Sequence, residues 1–131
     1  MVRDGEVLSS AHTIVYAAND PTAHAEVTAI REACRKLGTW DLSGSVVYTV
    51  PCATCPMCFS ALNWANVSKL VYGAPVGSST DPGLAGQVIT PETMKELGGS
   101  RIEIVSGLLI EENLAVYEYH RKWNEEHTGD E

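Results

Sequence analysis

The short stretch Thr54-Cys55-Pro56-Met57-Cys58, together with His24-Ala25-Glu26 earlier in the chain, decides how the rest of the sequence is interpreted. One imidazole and a Cys-x-x-Cys pair are ligands of the kind that hold zinc in proteins. Three protein ligands leave the fourth tetrahedral position open to water, which is typical of catalytic rather than structural zinc. We therefore expect the fold to bring these two stretches together around a metal ion.

A third cysteine leaves a second ligand set open. Cys52 precedes Cys55 by three residues, so these two form a Cys-x-x-Cys pair of their own. If Cys52 joined the other three candidate ligands, three thiolates and one imidazole would close the coordination sphere, and the zinc would be structural. Glu26 argues against a closed centre, because a structural zinc site needs no carboxylate beside its histidine.

Length, composition and charge limit the classes of function. The 131 residues suit one domain, residues 1–131, with 44% apolar and 20% charged side chains. The formal net charge of −8 repels phosphate backbones, so a long nucleic acid is not the expected partner. No apolar run is long enough to cross a membrane and no basic-then-apolar leader is present, so neither insertion nor secretion is expected. Three of the four cysteines lie in one Cys-x-x-Cys-x-x-Cys run, which indicates metal binding in a reducing compartment, the cytoplasm.

Strand-like and helix-like segments alternate, which predicts an α/β layered sandwich. β-Branched and aromatic residues at 45–50 predict a buried strand that ends at Pro51. Further strands are predicted at 7–15, 69–72 and 102–105, and a hairpin turn at 3–6 leaves very little chain for a strand before it. Residues 73–87 are rich in Gly, Ser, Pro and Asp and carry no periodicity, so we expect a loop that could act as a lid.

Helix start and stop signals place both parts of the motif at helix N-termini. Asp20 as N-cap and Pro21 at the first helical position predict a helix that ends at Gly38. Thr54 is predicted to cap a second helix over 56–65, in which Trp64 is expected to pack in the core. A brief helix at 90–98 and an amphipathic helix from 110 to about 126 complete the chain.

The residues around these motifs resemble a known family. The stretch Asn19-Asp20-Pro21-Thr22-Ala23-His24-Ala25-Glu26 is similar to the guanine and nucleoside deaminase branch of the cytidine deaminase-like superfamily, as is Cys55-Pro56-Met57-Cys58 with the helix and strand that follow. The combination of His-x-Glu with Cys-x-x-Cys is the general signature of zinc-dependent base deaminases. The likeness runs from about residue 5 to residue 74 and returns weakly from residue 102 onward.

The resemblance implies a fold, a set of roles and a partner. The fold would be a three-layer α/β/α sandwich with a mixed central sheet, assembled as a homodimer or a larger oligomer. His24, Cys55 and Cys58 would be the Zn²⁺ ligands, with Cys52 as the alternative ligand. Glu26 would be the catalytic residue that carries protons between the water and the substrate.

The implied function is hydrolytic deamination of a small nucleobase, nucleoside or related amino-substituted N-heterocycle. A zinc-bound hydroxide would attack the carbon that bears the amino group, with Glu26 as the proton shuttle. A guanine- or guanosine-type substrate is the first choice and a cytosine-type substrate the next. The alternatives are a tRNA adenosine deaminase, which shares these motifs, and a catalytically silent scaffold stabilised by zinc.

The sequence departs from the family pattern at three places. Ala53-Thr54 stands where the family usually has Glu-Pro before the first cysteine ligand, and Thr13 stands where it commonly has an Asn, eleven residues before the histidine. The first helix and most of the first strand of the family have no counterpart in the sequence. Thr13, Ala25 and Thr54 are the predicted substrate-binding residues.

Overall fold

Five strands form one mixed sheet in this computed structural model, which describes residues 1–78 and 89–127. The strands are β1 (Val2–Arg3), β2 (Glu6–Val7), β3 (Val46–Cys52), β4 (Lys69–Ala74) and β5 (Glu103–Val105). Their spatial order is β2-β1-β3-β4-β5, in which β1 pairs antiparallel with β2 and β3, and β3, β4 and β5 run parallel. The predicted α/β fold with a mixed central sheet is therefore confirmed.

Five helices accompany the sheet within the described residues. They are α1 (Val15–Ala18), α2 (Ala25–Leu37), α3 (Pro56–Trp64), α4 (Pro91–Gly98) and α5 (Ile110–His127). The predicted helix over 56–65, the brief fourth helix and the long final helix are thus confirmed in position. None of the helices among the described residues is both long and apolar enough to span a bilayer.

The sheet separates two layers of helices, because alternate side chains of a strand point to opposite faces. Val47, Leu70 and Tyr72 are buried in one core cluster with residues of α2 and α3. Gly73 belongs to the other face, where a Cβ added to it would collide with the side-chain carboxamide of Asn113 in α5. Helices α2 and α3 therefore cover one face, and α5 crosses β3 and β4 on the other.

The N-terminal hairpin agrees with the sequence prediction. Strands β1 and β2 are joined by Asp4 and Gly5, whose φ angles of 51° and 77° are both positive. A two-residue hairpin turn of type I′ requires positive φ at both central residues, which is why an Asp-Gly pair is a strong local signal.

The predicted strand over 7–15 is wrong beyond Val7. Residues 8–14 form no strand, and α1 begins at Val15. The backbone N–H groups of Leu8 and Ser9 still donate to the Met1 carbonyl, at 2.9 and 3.5 Å. Other hydrogen bonds of the segment lead to α2 and to the residues just before it: Ser9 Oγ donates to the Ala29 carbonyl at 2.8 Å, and Ile14 N donates to the Ala23 carbonyl at 3.0 Å. The segment therefore lies along α2 instead of beside a strand, although its apolar pattern suits a strand.

Two predicted helix caps are also wrong. The Asp20 carboxylate accepts hydrogen bonds from the backbone N–H and the hydroxyl of Thr22 at 2.8 and 2.6 Å, which closes a local turn, and α2 begins only at Ala25. At α3 the N-cap is Cys55, not Thr54. Short polar side chains favour turns as readily as helix caps, so the sequence signal did not distinguish the two.

Strand β3 continues past its predicted end at Pro51 and reaches Cys52. The pairing with β4 shifts register between Thr49 and Cys52, and the Thr49 hydroxyl donates to the Cys52 carbonyl at 3.0 Å within this irregular stretch. Strand β4 likewise continues to Ala74, so the predicted loop begins later than expected. The part of that predicted loop from 79 to 87, and with it the proposed lid, lies outside the described residues.

We expect a clear difference between two apolar residues of α3. Leu62 is completely buried in the core, so Leu62→Ala should lower the free energy of unfolding by about 2–5 kcal/mol. Trp64, predicted from sequence to be a core residue, is 81% exposed, so Trp64→Ala should change stability by no more than about 0.5 kcal/mol. Urea unfolding followed by circular dichroism measures both values, and equal losses would contradict this assignment of the core.

Candidate metal centre

The candidate metal centre lies where two helices begin at the carboxyl end of β3. His24 is the N-cap of α2, Cys55 is the N-cap of α3, and Cys58 is the third residue of α3. In open α/β sheets, the crevice beyond the carboxyl ends of parallel strands is the usual place for a ligand. The positive end of the α3 dipole also favours thiolate at Cys55 and Cys58.

The ligand atoms of His24, Cys55 and Cys58 all lie within 4.8 Å of one another. His24 Nδ1 and Cys55 Sγ are 3.7 Å apart. Tetrahedral zinc with sulfur at about 2.3 Å and nitrogen at about 2.0–2.1 Å sets its ligands roughly 3.4–3.8 Å apart. The three residues therefore fit a zinc ion, with one coordination position left for another ligand.

Hydrogen bonds connect Cys58 both to Cys55 and to Glu26. Cys58 N donates to Cys55 Sγ at 3.5 Å, and Cys58 Sγ donates to Glu26 Oε2 at 3.4 Å. Hydrogen bonding from the Cys58 thiol lowers the pKa of Cys55 to about 5, and the same interaction, together with burial, raises the pKa of Cys58. Because metal-bound cysteine is a thiolate, zinc binding would release the proton that Cys58 holds.

Glu26 lies beside the ligand cluster. It is the second residue of α2, and its carboxylate contacts Cys58 Sγ from the wall of a cavity of about 830 Å³. Of the described residues that line this cavity, Glu26 is the only one with an acidic side chain. The arrangement therefore provides one carboxylate next to a three-ligand centre, which is the placement that proton transfer requires.

Cys52, the alternative ligand, is not part of the cluster of candidate ligands found among the described residues. It lines the same cavity, and its thiol is hydrogen-bonded to the hydroxyl of Tyr117 in α5. Burial raises the pKa of Cys52, which works against the thiolate form that zinc needs. The geometry thus favours a centre with three protein ligands over a closed one with four.

The three predicted substrate-binding residues all line the cavity. Ala25 is the first residue of α2, and Thr13 Oγ1 donates to the Ala23 carbonyl at 3.5 Å. Thr54 is only 1% exposed, and its hydroxyl has no hydrogen-bond partner within the part of the chain that is described. The structure places these side chains at the cavity, and their roles remain predictions.

Sequence analysis missed Tyr117 as a cavity residue. This tyrosine comes from the last helix, which covers the opposite face of the sheet from α2 and α3, yet it lines the same cavity as His24 and Glu26. No motif or spacing relates it to the metal ligands. Only the packing of α5 over β3 could reveal it.

A family model and several known proteins match this chain. The model for the cytidine and deoxycytidylate deaminase zinc-binding region matches residues 1–74, which include His24, Glu26, Cys55 and Cys58. A guanine deaminase of Bacillus subtilis strain 168 is 40% identical over 95 residues, or 72% of this chain and 60% of that protein. A tRNA-specific adenosine deaminase of the same organism is 38% identical over 114 residues, or 86% of this chain and 66% of that protein.

A solved structure from work on A-to-I editing by tRNA:A34 deaminases has the same fold. It superposes with a TM-score of 0.73 at 32% identity, and the match covers 88% of this chain and 80% of that one. The chain spans 60% and 66% of the length of these two Bacillus subtilis relatives.

We expect zinc content to separate the three clustered residues from Cys52. His24→Ala, Cys55→Ser and Cys58→Ser should each lose most bound zinc, because each removes one of three protein ligands. Cys52→Ser should keep about one equivalent, since its thiol lies outside the cluster. Mass spectrometry of metals after gel filtration measures the stoichiometry, and zinc loss in Cys52→Ser equal to that in Cys58→Ser would contradict the three-ligand centre.

Proposed function

Because this chain belongs to the family of the cytidine and deoxycytidylate deaminase zinc-binding region, we propose that it is a zinc-dependent hydrolytic deaminase of a small, amino-substituted N-heterocycle. The observation that carries the proposal is the three-ligand cluster of His24, Cys55 and Cys58 with the Glu26 carboxylate against it. A purely structural centre would need neither the carboxylate nor a cavity beside the ligands.

The proposed roles follow from the position of each group. His24, Cys55 and Cys58 would hold the zinc, which would supply a Lewis acid that lowers the pKa of water towards neutrality. Glu26 would accept one proton of the water at a carboxylate oxygen and deliver it to a ring nitrogen of the substrate. It would then accept the second proton of that water and pass it to the amino group, which leaves as ammonia. The half-buried cavity wall around Glu26 would hold the planar ring against the cluster.

The charge of the cavity wall supports a neutral substrate. None of the described residues that line the cavity is a lysine or an arginine, and the whole chain carries a net charge of −8. A phosphorylated nucleotide would therefore find neither a lysine nor an arginine among these residues, and these side chains are common partners of phosphate. A free base or a nucleoside fits better, with a guanine- or guanosine-type substrate first and a cytosine-type substrate next.

Similarity to the guanine deaminase of Bacillus subtilis supports the first of these choices. Thr13 argues against guanine itself, because it stands where the family commonly has an asparagine. A threonine hydroxyl cannot reproduce the two-point contact of an asparagine carboxamide with a base. The proposal therefore includes substrates that have fewer hydrogen-bonding groups than guanine on the ring edge that faces Thr13. By the same family resemblance we propose that the protein acts as a homodimer in the cytoplasm. Sedimentation of the purified protein would test whether it is a dimer.

Adenosine deamination on tRNA is the second candidate function. It is supported by the tRNA-specific adenosine deaminase relative, which matches 86% of this chain, and by the tRNA:A34 deaminase structure. The acidic charge argues against it, since RNA binding depends on cationic contacts to phosphate.

We therefore expect no complex between the zinc-loaded protein and tRNA in a gel-shift assay near physiological salt. The physical reason is repulsion between the phosphate backbone and a chain of net charge −8. A shifted band that weakens steeply with added salt would favour the tRNA function instead.

The decisive experiment is ammonia release from a substrate panel of guanine, guanosine, cytosine, cytidine, adenine, isocytosine and aminotriazines. At least one compound should be deaminated, and Glu26→Gln should lower kcat by about 10²- to 10⁴-fold with zinc retained, because a proton carrier is lost. Glu32→Gln is the matched control: Glu32 lies on the same helix and does not line the cavity.

Two outcomes would contradict the proposal. Unchanged turnover in Glu26→Gln would remove Glu26 from the mechanism. If no compound of the panel releases ammonia at full zinc occupancy, the zinc-stabilised scaffold is favoured. X-ray absorption should then show a zinc ion without an exchangeable oxygen ligand.

A further inference from the structure

Tyr117 joins the two helical layers at the cavity. It is the only residue of α5 among the described residues that line the cavity, whereas the rest of the lining comes from the N-terminal segment, α2, β3 and the stretches that follow β3 and β4. Helix α5 crosses β3 and β4 on the face of the sheet opposite α2 and α3. The cavity is therefore walled from both layers, and α5 contributes a phenol ring to it.

The hydroxyl of Tyr117 is held by a specific partner. It is hydrogen-bonded to the thiol of Cys52, the last residue of β3, three residues before the candidate ligand Cys55. Burial and this hydrogen bond raise the pKa of Tyr117, so its hydroxyl stays protonated over the ordinary range of pH. The side chain is thus a neutral group whose orientation is set by the end of the strand that leads to the metal centre.

The bond to Cys52 leaves Tyr117 able to bind a ligand. A phenol has one O–H donor and two acceptor lone pairs, so donation to sulfur leaves its oxygen free to accept. The ring also offers an apolar surface for a planar heterocycle. Neighbouring Tyr119 is 71% exposed, while Tyr117 is half-buried, so the position of Tyr117 is not a general property of this helix.

We propose that Tyr117 is a specificity-determining residue, which accepts a hydrogen bond from a ring N–H or amino group of the heterocycle and is positioned for this by Cys52. The inference rests on the proposed deaminase function, because it names the wall against which that substrate lies. Cys52 is then a positioning residue that acts through Tyr117. This role explains why a thiol outside the cluster of candidate metal ligands lines the cavity. A heterocycle without an N–H or amino group facing Tyr117 makes no hydrogen bond to the tyrosine oxygen, so its affinity does not depend on that oxygen.

The test compares Tyr117→Phe, which keeps the ring and removes the oxygen, with the unchanged protein. For a substrate with a ring N–H donor such as guanine, KM should rise about three- to tenfold, as expected for one lost hydrogen bond between neutral groups. The kcat should change by less than about twofold, because binding and not the chemical step is affected. Cys52→Ser should keep the wild-type KM, since a serine hydroxyl can take the same hydrogen bond, whereas Cys52→Ala should raise it.

A binding measurement separates this inference from the function on which it rests. Calorimetry with guanine and zinc-loaded Glu26→Gln gives a dissociation constant without turnover, and adding Tyr117→Phe should raise it by the same factor as KM. Tyr119→Phe is the matched control and should change neither constant. If guanine binds and Tyr117→Phe weakens it but no ammonia is ever released, the deaminase function fails while the role of Tyr117 in recognition stands.

Other results overturn the inference itself. A purely structural role would lower the melting temperature in Tyr117→Phe and reduce kcat for every substrate by one factor, with KM unchanged. An unaltered dissociation constant in Tyr117→Phe, or no binding of any heterocycle of the panel, would equally exclude Tyr117 as a recognition residue.

Discussion

The structure depends on one geometric constraint: three ligand atoms from the starts of two helices must meet within a few ångströms at the end of one strand. His24 precedes α2, while Cys55 and Cys58 lie at the start of α3, and their ligand atoms are within 4.8 Å of one another. This is possible because α2 and α3 pack on the same face of the sheet with their N-termini at the carboxyl end of β3. The core residues that hold the helices on that face therefore also hold the metal centre.

The same constraint governs the electrostatics of the centre. Two thiols, an imidazole and a carboxylate are brought together in one small site, and the protonation of each thiol affects that of the other. Hydrogen bonding between the cysteines lowers the pKa of Cys55 and raises that of Cys58, which also contacts Glu26. A divalent cation relieves this crowding, because it favours the thiolates that otherwise repel one another and the carboxylate. The zinc-binding region of the family and the chemistry of this donor set agree on the same metal.

The surroundings of the centre include the positions at which this sequence departs from the family pattern. The chain is similar both to a guanine deaminase and to a tRNA-specific adenosine deaminase, so membership of the family does not decide between these two kinds of substrate. Thr13 and the Ala53-Thr54 pair, which are two of these departures, line the cavity, as do Cys52 and Tyr117. These residues come from three different parts of the fold, and none of them belongs to the cluster of candidate metal ligands.

Sequence alone determined those features that depend on local chemistry. The spacing of Cys55 and Cys58 with Pro56 between them identified the start of α3, Gly38 marked the end of α2, and Asp4-Gly5 identified the hairpin. In each case the signal is a backbone preference or a ligand spacing that neighbouring residues satisfy among themselves. The α/β alternation of strands and helices, and hence the class of fold, follows from signals of the same kind.

Only the tertiary structure decided features that depend on residues distant in the chain. Residues 8–14 have the composition of a strand but bond to α2, and Asp20 closes a turn with Thr22 instead of capping the helix. Cys52 matches the ligand spacing as well as Cys58 does, yet its thiol is turned to Tyr117, outside the cluster. The physical reason is that spacing specifies which residues can meet locally, while the packing of α5 over the sheet decides which of them do.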